Sequence, residues 1–199
     1  MPTGVALSDA RARLFAAAER VVTRDGAGGL TSRAVTEEAG VAKGVLHRHF
    51  ADFDDFLAEL VRDRIGRLQA EVGELTAAAG STTLVSQVAE ALTRTFTPVN
   101  LGLVSAAMAR DGLRARLRPT TPHGIPILTE AATALSAYLD TERRLGRLTP
   151  RTDTGTLALT LIGTGHLLFA GELGGLPDAS AVREVVEAIT VGAEPGARP

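Results

Sequence analysis

Residues Thr31 to Phe50 read TSRAVTEEAGVAKGVLHRHF, and the fold of the N-terminal part of the chain follows from this stretch. Thr31 is a preferred residue type at a helix N-cap. Val35 and Ala39 recur behind it at helical spacing, and Gly40 suits the left-handed position that closes a helix. A second short helix runs from about Ala42 to Phe50, with Leu46 and Phe50 on its apolar side. Lys43 (the only lysine in the chain), Gly44, His47 and Arg48 fall on or near the other side. Two short helices joined by such a turn form the unit that many proteins insert into the DNA major groove. Side chains at that edge can reach bases or phosphates. Gly44 weakens a helix by roughly 1 kcal/mol relative to alanine, a penalty that close approach of backbone to a duplex would explain.

Helical periodicity continues on both sides. Upstream, Ser8 can cap a helix carrying Leu14, Ala18, Val21 and Val22 at helical spacing, which stops at Asp25-Gly26-Ala27-Gly28-Gly29. Downstream, Asp52 caps a long fourth helix whose apolar stripe runs from Phe53 to Leu75. At 1.5 Å per residue such a helix spans on the order of 40 Å. Further helices are expected near 83–96, 101–110, 126–147, 153–171 and 180–192. Pro98-Val99-Asn100, Asp111-Gly112 and the proline-rich loop 119–126 interrupt them. No period-2 strand is evident, so the expected fold is all-α with about nine helices. The expected domains are a helix-turn-helix head at 8–51 with a connector helix at 52–79, a helical body at 80–193, and a tail at 194–199.

The chain of 199 residues is 45% apolar but only 4% aromatic, so Leu, Val and Ala must fill its core. It has no cysteine, which excludes disulfides and thiolate metal sites and fits a reducing cytoplasm. No basic segment followed by an apolar run resembles a signal peptide. The net charge of −2 excludes a sequence-independent DNA coater, so any basic surface is local. Arg11, Arg13, Arg20 and Arg24 exceed Asp9 and Glu19 in the first helix, and Arg33, Lys43 and Arg48 follow.

The pattern Leu30-Thr31-x-x-x-Val35-x-x-x-Ala39-Gly40-Val41-Ala42-Lys43-Gly44-x-Leu46-x-x-His49-Phe50, followed by a capped helix with Leu57, resembles the tetracycline-repressor (TetR) family of bacterial transcriptional regulators. At motif level the resemblance covers about residues 8–70. It implies a homodimer whose third helices enter successive major grooves of a palindromic operator. The implied DNA-contact set is Thr31, Ser32, Arg33, Ala42, Lys43, Gly44, His47, Arg48 and His49. Two departures stand out: His47 replaces the family's usual tyrosine, and Phe53 replaces its usual lysine.

In the body, Leu157–Gly171 carries no acidic residue, lysine or arginine. It is too short and too rich in Thr and Gly for a membrane span, which needs about 20 apolar residues. With the last helix it can pair with its copy as a four-helix bundle, as TetR-like dimers do. Leu157, Leu161, Gly165, Leu168, Val182, Val185, Val186 and Ile189 are the expected interface. An apolar cavity with a few polar groups is the usual small-molecule site, and Met108, Tyr138, Thr164 and His166 are the candidates for contact with a small apolar effector.

The sequence contains no Gly-x-Ser-x-Gly, no phosphate-binding glycine loop and no His-Glu-x-x-His, so neither an enzyme nor a cofactor is expected. His47 and His49, two apart on a helix, point to different faces and cannot easily share a metal ion. The expected function is a cytoplasmic, ligand-responsive repressor acting on double-stranded DNA. The alternative is a dimeric helical small-molecule-binding or scaffold protein with weak or lost DNA binding.

Overall fold

In the computed structural model, residues 4–171, 175–193 and 195 are described, with side chains from residue 10 onward. Three residues of the expected Gly171–Pro177 linker and most of the expected tail lie outside that range. Ten α-helices follow in order: α1 Gly4–Gly29, α2 Ser32–Glu38, α3 Gly44–His49, α4 Phe53–Ala77, α5 Leu84–Thr95, α6 Pro98–Ala109, α7 Asp111–Leu117, α8 Leu128–Arg144, α9 Thr154–Phe169 and α10 Ala179–Thr190. A short 3-10 turn, Val191–Ala193, follows α10. No strand occurs among the described residues.

The described residues form two compact units, one drawn from 1–64 and 98–127 and the other from 65–97 and 128–199. The division differs from a simple head-then-body reading, because α6 and α7 pack with the N-terminal helices. Gly102 of α6 marks that packing: a Cβ there would lie 2.2 Å from Val22 Cγ2 of α1. In the same unit Arg64 donates to Asn100 Oδ1 at 3.0 Å, tying α6 to α4.

Local chemistry sets the helix ends. α1 begins at Gly4, four residues before the expected cap Ser8, whose side chain is outside the described set. Its regular course breaks at Gly26, whose φ of 69° is open to glycine at little cost. Asp52 Oδ1 accepts from Asp55 N at 2.8 Å, and Asp55 Oδ2 accepts from Ala51 N at 2.9 Å. This reciprocal arrangement satisfies free N–H groups at the start of α4. Asp153 and Asp178 cap α9 and α10 in the same chemical sense.

Two sequence expectations change here. Pro98-Val99-Asn100 is the first turn of α6 and not an interruption, since proline is well suited to a first helical position. Asp111-Gly112 likewise opens a separate helix, α7, which buries Leu113 and Leu117. Seven residues carrying only that apolar pair leave too short a period to read.

Each unit has its own core. In the first, Leu14, Val21, Val35, Leu46, Phe56 and Leu60 have no exposed surface. In the second, Leu139, Leu161 and Val186 have none, and Phe96 stacks on Phe169 at 5.4 Å between ring centroids.

Candidate nucleic-acid interface

The head is assembled on α2, the turn and α3. Thr31 Oγ1 accepts from Ala34 N at 3.2 Å, capping α2. Gly40 closes that helix with φ of 63°. Its N–H donates to Glu37 O at 3.1 Å, and Val41 N–H donates to Thr36 O at 3.0 Å, which is the Schellman pattern. Arg13 of α1 donates to Ala39 O at 3.0 Å and holds the turn from outside. Val35, Ala39, Leu46 and Phe50 are buried, and Phe50 meets Phe56 edge-on at 5.0 Å. Burying one side of α3 this way leaves its other side in solvent.

That free side carries Ala42, Lys43, Gly44, His47 and Arg48, all exposed. Lys43 and Arg48 have no hydrogen-bond or ion-pair partner among the described residues. Thr31 and Arg33 are exposed as well, but Thr31 Oγ1 is engaged in the cap and Arg33 pairs with Glu37 at 2.7 Å. His49 is half-buried beside Phe50. Ser32 is half-buried too, and its Oγ is enclosed without a partner; as placed, that hydroxyl is turned away from solvent.

The cations of α1, counted as local basic surplus from sequence, are committed elsewhere. Arg20 and Arg24 reach Glu38 at 2.6 and 2.8 Å, and Arg24 also reaches Asp25 at 2.8 Å. Hydrogen bonds from Arg20 and then Arg24 hold the Glu38 carboxyl below the usual carboxylate range. Arg11 pairs with Glu59 and lies over the Phe50 ring at 4.9 Å. A neutralised pair attracts phosphate weakly, so unpaired cations on α3 dominate the local field.

The expected effector residues are divided between the two units. Met108 is exposed at the end of α6, in the first unit, whereas Tyr138, Thr164 and His166 belong to the second. Tyr138 is fully buried, and its hydroxyl lies 2.5 Å from Gln87 Oε1 and 2.7 Å from Glu142 Oε1. Its hydroxyl is therefore committed to a buried polar network within the protein. Thr164 and His166 are half-buried on α9, His166 with its ring 6.1 Å from that of Phe96. A small apolar cleft in the second unit is lined by Leu68, Val72, Leu75, Ala91, Arg94 and Thr95 among others, and encloses about 20 Å³. That is far below the roughly 300–1,000 Å³ of ligand pockets.

Four of the expected interface residues prove to be core. Leu161 and Val186 have no exposed surface, Val182 retains 2%, and Gly165 is buried against Phe96. Leu157, Leu168, Val185 and Ile189 are half-buried. The helical pattern located the apolar helices, but it selected the stripe that faces inward. The outward stripe of α9 is Leu159, Gly163 and Leu167, with the two leucines 66% and 80% exposed. Among the described residues no helix is long and apolar enough to cross a membrane.

Comparison with known proteins agrees with the geometry of the head. Residues 14–60 match the family model described as bacterial regulatory proteins, tetR family. No curated protein sequence matches the chain. A TetR-family transcriptional regulator from Agrobacterium tumefaciens superposes with a TM-score of 0.69 at 14% identity, over 94% of this chain and 98% of that one. A TetR-family member from Streptomyces coelicolor superposes with a TM-score of 0.60 at 24% identity, over 90% and 97%. These two share the fold. The multidrug binding protein EbrR, solved with imidazole, is 27% identical over 90% of this chain and 88% of its own, with a TM-score of 0.60. The helix-turn-helix head, over residues 14–60, is that of the tetR family of bacterial regulatory proteins, and the fold is shared with TetR-family proteins along almost the whole chain, which together support a DNA-binding transcriptional regulator.

Proposed function

We propose that the protein is a cytoplasmic repressor that binds a palindromic operator as a homodimer and is released by a small apolar effector. The observation that carries the DNA half of this reading is the uncommitted edge of α3, where Lys43, Gly44, His47 and Arg48 are exposed and both cations lack partners among the described residues. Residues 8–51 serve as the reading head, α4 as the connector, and residues 80–193 as the effector-binding and dimerising body. Two heads must sit about one DNA turn apart, roughly 34–36 Å, to occupy both half-sites.

The outer stripe of α9 supports self-association. Large exposed leucines on a helix without an acidic residue, lysine or arginine favour burial against a like surface. Leu157, Leu168, Val185 and Ile189, half-buried in one copy, form the flanks of this contact. For the effector, the support is the likeness to EbrR, which has been solved with imidazole and with ethidium. A shift of about 1–3 kcal/mol between two head spacings is the coupling such control requires.

Selection of bound duplexes from a random pool tests the reading. A recovered site with two-fold symmetry and half-sites one turn apart is expected. Failure to enrich any duplex at low ionic strength would leave the alternative, a helical small-molecule-binding or scaffold protein without DNA binding.

A further inference from the structure

We infer that Arg110 and Arg116, which lie outside the helix-turn-helix, set the affinity of the head for DNA by neutralising Asp54 and Asp52 at the first turn of α4; this rests on the DNA-binding reading above. From Thr31 to Asp55 the chain has three cations, Arg33, Lys43 and Arg48, against five carboxylates. Such a segment alone repels a polyanion. Glu37 and Glu38 are answered by Arg33 and by the arginines of α1. Asp52 and Asp54 follow directly on α3, and among the described residues no basic residue of the head pairs with either.

Their partners come from the two ends of α7, Arg110 at its N-cap and Arg116 in its last turn. Arg110 Nε donates to Asp54 Oδ1 at 2.6 Å, while its guanidinium lies over the Phe53 ring at 5.5 Å. Arg116 donates to Asp52 Oδ2 and is held there in turn, since Arg62 donates to its carbonyl at 2.6 Å. The approach is close by construction: a Cβ on Gly112 would fall 2.3 Å from Asp54 Oδ2. Glycine at that position lets the carboxylate rest against the α7 backbone, within reach of Arg110.

Both arginines are partly exposed, with side-chain accessibilities of 40% for Arg110 and 34% for Arg116. Solvent-exposed pairs add little to stability. Their larger effect is on the field that a DNA phosphate meets next to α3, which acts over about a Debye length, ~10 Å at 0.1 M salt. Because the two residues sit at opposite ends of the short helix α7, a displacement of that helix removes two positive charges from the border of the reading head. Charge on the head is then controlled by a helix outside the helix-turn-helix.

The test is an anisotropy titration of the duplex recovered from the random pool. Replacing both arginines (Arg110→Gln with Arg116→Gln) is expected to weaken binding about three- to tenfold at low salt, with a smaller loss at high salt. Adding Asp54→Asn and Asp52→Asn should restore wild-type affinity, and Asn at 52 keeps the helix cap. Circular dichroism of each variant should be unchanged. Full affinity in the double arginine variant overturns the inference. So does a loss that the two Asn substitutions do not recover, because the arginines would then act by touching DNA or by holding the fold. Absence of any binding by the wild-type protein is read before a substitution is made, and it removes the regulator reading itself together with this consequence.

Discussion

The hydroxyl of Tyr138 lies 2.7 Å from Oε1 of Glu142, one turn further along α8, and both side chains are wholly buried. Gln87 of α5 accepts from the same hydroxyl and uses its own amide to donate to Ala78 O at 3.0 Å. Gly80 N–H donates to Glu142 Oε1 at 3.2 Å, and Arg147 Nε stands 3.2 Å from Glu142 Oε2. This buried network joins the turn after α4 to α5 and α8. Removing one member would strand the others without water, so such networks hold their elements in one arrangement.

Burial first, and then the hydrogen bond to Glu142 and its charge, push the Tyr138 phenol well above the ordinary tyrosine range. A folded-state value above the unfolded one, about 10, leaves stability intact below pH 10 and erodes it as pH rises beyond, where only the unfolded chain ionises. Tyr138 is the sole tyrosine and the chain has no tryptophan, so tyrosinate absorbance reports this residue alone. It should appear together with loss of the helical dichroism signal. Ionisation in the ordinary range with helices intact would contradict the buried network.

Lys43→Ala should weaken binding to the selected operator by about tenfold, the order expected for one lost phosphate or base contact. Helix content and oligomeric state should not change, because Lys43 is exposed and without partners among the described residues. Anisotropy titration measures the effect. Equal affinity would remove the residue from the interface.

Leu167→Glu should convert the proposed dimer to monomer while preserving the fold, since Leu167 is 80% exposed on α9. Sedimentation equilibrium separates the two states, and a persisting dimer would place the interface elsewhere. Val186→Asp is not an equivalent test. Val186 has no exposed surface, and an unpaired buried carboxylate is expected to unfold the unit instead.

Gly102→Ala should destabilise the protein by about 1–3 kcal/mol, the usual penalty of overpacking, because the new methyl meets Val22 Cγ2 at 2.2 Å. Urea unfolding measures the loss. Combining it with Val22→Ala, which vacates the same space, should recover part of it. Purely additive losses would show that α1 and α6 do not meet there.

The helix-turn-helix was legible because every instruction for it is local. Thr31, Gly40 and Asp52 act on backbone groups within a few residues, and Val35, Ala39, Leu46 and Phe50 sort one face from the other at helical spacing. The family resemblance rests on the same positions. Periodicity also located most of the body helices. It could not say which apolar face turns inward, and so Leu161, Gly165, Val182 and Val186 were expected at a surface they do not occupy. That choice depends on neighbours distant in sequence, such as Phe96 beneath Gly165. Tertiary structure alone decided which charges are spent: the arginines of α1 are drawn to Glu38 and Glu59, and Arg110 and Arg116 to acids more than fifty residues away. Ion pairing at that separation leaves no periodic trace in a sequence, because it is fixed by distance in space and by the dielectric around the pair.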